Sequence, residues 1–169
     1  EIPAYGISTG FGALAKKHID PGLRSQLQKS LIRSHAAGSG APVEDEVVRA
    51  MMSLRLATMC SGYTGVRPIT AQTYAALLNA HITPVVREFG SLGCSGDLAP
   101  LSTCALALMG EGDVRRKDGS VTDAATAMRE AAIAPIELTS KEGLALINGT
   151  DGMTGMLVMA LDDATALLK

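Results

Sequence analysis

Apolar positions recur along this chain with a helical rhythm. Leu23, Leu27 and Leu31 fall every fourth residue and the run stops at Gly38, which predicts a helix whose last turn carries His35. A second helix is predicted from Val43 to Met59, with Val47, Met51 and Leu54 turned inward and Glu44, Glu46, Arg49 and Arg55 mostly outward. Ile69 to Ala80 reads as a third, and Leu98 to Met109 as a fourth that is apolar nearly all round and so belongs in the deep core. Between Val114 and Val121 an Asp118-Gly119 turn separates two short polar arms, which predicts one short β-hairpin. Helices follow from about Thr122 to Ala131 and from about Asp151 to Leu168. The expected class is mainly α, with long loops.

Composition supports the same picture. The chain has 169 residues, 47% of them apolar and only 3% aromatic, enough for one domain with a sizeable core. Abundant Ala, Leu and Met favour helices packed through small side chains over a β-sandwich. A net charge of −2 without a long run of Lys or Arg leaves no electrostatic footprint for nucleic acid or an anionic membrane, and neither partner is expected. Cys60, Cys94 and Cys104 show neither C-x-x-C nor zinc spacing, so no disulfide framework and no metal are expected, and a reducing, cytoplasmic compartment is. No uninterrupted apolar stretch of about 18 residues and no signal-peptide pattern is present. The start at Glu1 and the stop at Lys169 inside a helical pattern suggest a chain truncated at both ends.

The richest segment is Gly90-Ser91-Leu92-Gly93-Cys94-Ser95-Gly96-Asp97-Leu98-Ala99-Pro100-Leu101. A glycine-rich turn entering a helix is a candidate anion nest, but this one lacks the Lys-Ser/Thr of a phosphate loop and the strand that precedes a dinucleotide fingerprint. Another chemistry uses these residues directly. If the chain bends so that the Gly96 amide nitrogen reaches the Cys94 carbonyl carbon, a five-membered ring can close with loss of water, and glycine permits that bend because it has no Cβ. Loss of the Ser95 hydroxyl as a second water leaves an exocyclic methylidene, a strong electrophile made from three ordinary residues.

This segment resembles the hallmark of the aromatic amino-acid ammonia-lyases and aminomutases, whose Ala-Ser-Gly forms a methylidene-imidazolone autocatalytically; here Cys94-Ser95-Gly96 stands in that place, followed by Asp97. Three further blocks match in order: Ala4-Tyr5-Gly6-Ile7-Ser8-Thr9-Gly10-Phe11-Gly12, Ser34-His35-Ala36-Ala37-Gly38, and Lys141-Glu142-Gly143-Leu144-Ala145-Leu146-Ile147-Asn148-Gly149-Thr150. Cys94 replaces the usual Ala, a variant found among histidine-specific members, and Thr103 stands where many members have His.

The resemblance implies the helical N-terminal, prosthetic-group-bearing domain of the ammonia-lyase fold, with the C-terminal helical-bundle part absent. It implies non-oxidative deamination of L-histidine to urocanate and ammonia, without an external cofactor, by a homotetramer. Tyr5 would be the base for the β-hydrogen, His35 would sit beside the substrate's imidazole, and Asn148 would contact both the ring and the substrate's amino-acid end. An amide suits that post because it donates and accepts without charge. Read without the family, Tyr5 is a loop tyrosine, His35 a core histidine and Asn148 a helix cap or turn. Asp97 suits a cap on the helix starting at Leu98, an aid to cyclisation, or both. Ser91 and Thr150 are candidate lining residues, Arg67 reads as structural, and the methionines read as core or interface filler. The rivals are a tyrosine ammonia-lyase or tyrosine aminomutase, and a non-catalytic helical association module. Because members complete each site with later segments and neighbouring subunits, these 169 residues alone are expected to be nearly inactive.

Overall fold

The computed structural model describes residues 2–93 and 96–169, so the expectation placed on Cys94 and Ser95 lies outside the described residues. In chain order the elements are α1 Arg24–His35, β1 Ser39–Pro42, α2 Asp45–Cys60, α3 Pro68–Asn79, β2 Thr83–Pro84, β3 Arg87–Phe89, α4 Leu98–Leu108, β4 Asp113–Arg115, β5 Val121–Asp123, α5 Ala124–Glu130, α6 Glu142–Ile147 and α7 Asp151–Leu167. The mainly α class holds.

α4 is the hub. Leu101, Cys104, Ala105 and Leu108 are wholly enclosed, and α1, α3, α5, α6 and α7 all pack on this helix. Burial pushes the Cys104 thiol up to about 12, so it stays protonated. α7 lies along α2, brought close at Gly155, where a Cβ would sit 3.0 Å from both Met51 N and Val47 O.

Two inward faces differ from their predicted stripes. On α1 the enclosed residues are Gln28, Leu31 and Ile32, while Leu23 is exposed. On α2 they are Val48, Met51, Met52, Arg55 and Met59. Arg55, expected on the outside, is only 3% exposed. Its guanidinium pairs with Asp151, 96 residues along the chain, and helical periodicity carries no information about so distant a partner.

The predicted hairpin is present, with Asp113, Val114 and Arg115 opposite Asp123, Thr122 and Val121. It is widened into a three-stranded sheet by β2 on β4, and a separate antiparallel pair joins β1 to β3. Those extra strands have two to four residues, too few for alternation to announce them. Thr122 belongs to β5 and not to the helix after it, because Asp123 accepts the Thr126 N–H at 2.8 Å and starts α5 one residue later. One stretch, Glu142–Leu167, is long and apolar enough by length and composition to cross a membrane. Asn148, Gly149 and Thr150 divide it into the core helix α6 and α7.

Candidate active site

Four separated pieces of chain converge around Leu98. A cavity of about 460 Å³ is lined by Tyr5 and Phe11 from the N-terminal loop, Leu31 and His35 from α1, Leu98 from α4, and Leu144, Ile147 and Asn148 around the end of α6. A second cavity of about 280 Å³ adjoins it, sharing His35 and Leu98 and adding Gly90, Leu92 and Gly96. Tyr5, His35, Asn148 and Gly96, picked out by motif alone, therefore share one neighbourhood. Ser91 and Thr150 do not line these two cavities. Ser91 borders a small apolar crevice against α2 and α7, and Thr150 a wider recess on the far side of Asn148.

Each side chain is held by its local backbone. Tyr5 packs its ring edge-on to Phe11, at 86° and 5.7 Å between centroids. Its phenol oxygen accepts the Gly12 N–H at 3.0 Å, leaving the phenol's own hydrogen free to turn toward the cavity. The Lys141 ammonium lies 5.5 Å from the same ring's centroid, a cation–π contact joining the Tyr5 loop to the residue before α6. His35 Nδ1 lies 2.9 Å from the Leu31 carbonyl oxygen, which can only accept. The Ser34 hydroxyl lies 3.0 Å from the same nitrogen; in the tautomer with the proton on Nδ1, which the Leu31 carbonyl accepts, Nε2 is left as an acceptor. Asn148 closes α6, its N–H donating to the Leu144 carbonyl at 3.0 Å, with its side chain exposed to the cavity.

Gln28 was not singled out by sequence, yet it connects three of these pieces. Fully enclosed on α1, it donates from Nε2 to the Gly6 carbonyl at 3.0 Å, beside Tyr5. It accepts at Oε1 from the Gly143 N–H at 3.0 Å, at the start of the helix that delivers Asn148. A Cβ on Gly143 would meet Gln28 Oε1 at 2.8 Å, so glycine is what lets α6 come this near. The one available signal was a glutamine three and four positions before Leu31 and Ile32, on the face they bury.

Glu142, the first residue of α6, anchors the other side. Both its oxygens face Arg67 (Nε at 3.1 and 3.2 Å, Nη2 at 2.9 Å), and it also accepts from the Arg67 and Thr139 N–H groups and the Thr70 hydroxyl. Burial pushes this carboxyl up, but the Arg67 bonds and then the backbone and Thr70 bonds outweigh it and hold the group down at about 2. The structural reading of Arg67 is the observed one.

Asp97 is completely buried and makes no cap on α4. Its carboxylate reaches instead to α7, accepting the Met153 N–H at 3.0 Å and the Ser91 hydroxyl, so it caps the neighbouring helix. Its own N–H donates to the Gly149 carbonyl at 2.6 Å.

A match to the family model described as "Aromatic amino acid lyase" runs over residues 1–169. The chain belongs to the aromatic amino acid lyase family. It is similar to the histidine ammonia-lyase of Streptomyces avermitilis, 67% identical over 99% of this chain and 33% of that protein. It is similar also to the tyrosine 2,3-aminomutase of Myxococcus fulvus, 49% identical over all of this chain and 32% of that one. Among solved structures, the histidine ammonia-lyase of Trypanosoma cruzi superposes with a TM-score of 0.79 at 40% identity, over 90% of this chain and 28% of that one. This lyase chain thus spans about a third of the length of the curated relatives it matches.

The residues present fit the family's prosthetic group. Gly96 has φ +90°, and a Cβ there would lie 2.6 Å from the Gly149 carbonyl oxygen. Only glycine serves at that position in this chain, because both the positive φ and the closeness of the Gly149 carbonyl exclude a side chain.

Proposed function

We propose that the longer protein carrying this chain is a histidine ammonia-lyase, releasing ammonia from L-histidine to give urocanate. The observation that carries the reading is the convergence of Tyr5, His35 and Asn148 on one cavity that adjoins the one reaching Gly96. Histidine over tyrosine is favoured by the higher identity to the Streptomyces histidine ammonia-lyase than to the tyrosine aminomutase. The acceptor left at His35 Nε2 suits an imidazole N–H as donor. A methylidene-imidazolone formed from Cys94, Ser95 and Gly96 supplies an electrophilic carbon for the substrate's amine, which turns ammonia into a workable leaving group.

The chain's own residues divide the remaining work. Tyr5 removes the substrate's β-proton at its phenolic oxygen, which the Gly12 N–H holds at one fixed point of the cavity wall. Asn148 binds the substrate's amino-acid end through its amide, and His35 orients the imidazole so that the β-carbon faces Tyr5. Asp97 holds the turn carrying the ring. The apolar face of α7, with Met156, Leu157 and Leu161 exposed, is where later segments and neighbouring subunits close the site in a homotetramer, so these 169 residues alone turn over little or no histidine. A cytoplasmic, reducing setting suits the free thiols of Cys60 and Cys104.

Product analysis of the full-length protein tests the reading. Urocanate from histidine, together with an intact mass two waters short, is the expected result. Coumarate or β-tyrosine from tyrosine without histidine turnover transfers the reading to the tyrosine-acting members. Full activity in a Ser95→Ala variant rejects the ring altogether.

A further inference from the structure

Arg55 and Asp151 form an ion pair that is buried on both sides, 3% and 7% exposed, and no step above uses them. A buried pair of this kind is weak as a stabiliser, since desolvating two charges offsets most of their attraction. Here it is weaker still, because the buried Arg55 Nε has no acceptor among the described residues. What the pair does have is position. Arg55 Nη1 donates to the Ala145 carbonyl at 3.2 Å and reaches the Asn148 carbonyl at 3.5 Å, while Nη2 holds Asp151. The guanidinium spans the break between α6 and α7. A Cβ on Gly149 would collide with it and with the Asp151 carboxylate, so the Gly149 backbone lies flat against the pair.

The opposite face of the same backbone meets the ring-forming segment. The Gly149 carbonyl oxygen accepts the Asp97 N–H at 2.6 Å, and its carbonyl carbon and nitrogen would each lie 3.1 Å from a Cβ on Gly96. Gly149 is thus a wedge with the ion pair behind it and the left-handed Gly96 in front.

We propose that Arg55 and Asp151 are a positioning pair for maturation: by fixing the Asn148–Gly149 backbone they hold residues 96 and 97 in place, and with them the Gly96 nitrogen through which the ring closes. The inference rests on the ring chemistry proposed above. In that chemistry the Gly96 nitrogen bonds to the Cys94 carbonyl carbon. The carbonyl oxygen leaves as water with the hydrogens of the Gly96 and Ser95 amides. The Ser95 hydroxyl leaves as a second water with the Ser95 α-hydrogen, and no oxidant is consumed. Such a cyclisation is slow unless its ends are held in reach, which makes the holding residues rate-determining.

The test measures ring formation separately from activity and folding. Full-length wild type, Arg55→Met, Arg55→Lys and Asp151→Asn are purified at a fixed time after synthesis. The peptide spanning residues 90–101 is weighed, and melting temperature and assembly are recorded alongside. Leu108→Ala, a wholly enclosed side chain at the far end of α4 from Asp97, serves as a destabilised control. Expected are a complete two-water deficit in wild type and control, at least a tenfold slower deficit in Arg55→Met, and partial recovery in Arg55→Lys. Asp151→Asn, which keeps the side chain's shape and holds Arg55 without charge, is expected to fold and to mature slowly. If Arg55→Met and Asp151→Asn lose their two waters as fast as wild type, or if the control is slowed as much as they are, the positioning role is overturned. A wild-type peptide at full mass overturns the ring reading itself, a different and distinguishable failure.

Discussion

A glutamine inside a helix is ordinarily a surface residue, and the one at position 28 is fully enclosed with both ends of its amide in use. Replacing it by leucine keeps most of the volume and strands the Gly6 carbonyl and the Gly143 N–H, at about 1–3 kcal/mol for each unpaired group. In the full-length protein Gln28→Leu is expected to lower the melting temperature and to cut kcat of the proposed histidine deamination by about ten- to a hundredfold, as the Tyr5 loop and α6 lose their common anchor. Unchanged kcat per folded site would show that Tyr5 and Asn148 are held independently of Gln28. The contrast between Gln28 and its neighbours in the site shows what sequence carries at this scale. Tyr5, His35 and Asn148 were legible because their motifs are spelled out in consecutive letters. Gln28 and Arg55 were not, because polarity alone argues for solvent and their partners lie 22, 115 and 96 residues away.

At the scale of elements, α6 ties acid stability to the site, since Glu142 opens it and Asn148 closes it. The folded carboxyl titrates at about 2 against an ordinary 4.5, so in the fold it stays charged where the unfolded chain already binds a proton. Its contribution is complete above about pH 4.5 and drains away as pH falls toward 2, an interval worth on the order of 3 kcal/mol. Glu142→Gln is expected to be less stable than wild type at neutral pH. Its unfolding free energy should vary less between pH 4.5 and 2, read by denaturant titration at each pH. Parallel curves across that window would exclude Glu142 as the titrating group. Elements were read well from sequence where they are long and apolar, as in α3 and α4, and poorly where they are short. β1, β2 and β3 exist because neighbouring loops supply pairing partners, which their own few residues cannot signal.

For the whole molecule, the feature that stands out is α7, which packs on α2 yet leaves Leu157 and Leu161 57% and 58% exposed. Apolar side chains aligned on one exposed helix face suit the subunit contact proposed for α7. Leu157→Asp combined with Leu161→Asp is expected to shift the full-length protein from the proposed tetramer toward smaller species in sedimentation experiments. An intact tetramer would remove α7 from the interface. The mainly α class and the order of the long helices were readable in advance. The meeting of residues 5, 35, 96 and 148 was legible only through the resemblance, because spacing along a chain says nothing of how helices cross.

The Asp97–Gly149 contact also sets an order of events. A nascent chain emerges from its N-terminus, so the carbonyl that steadies Gly96 is delivered some fifty residues after it. In the maturation proposed above, cyclisation waits until the ribosome has released Gly149 into the folding chain. Chains arrested before that point are expected to carry the Ser95 hydroxyl intact, so that the two-water loss would date the docking of Gly149 on residues 96 and 97.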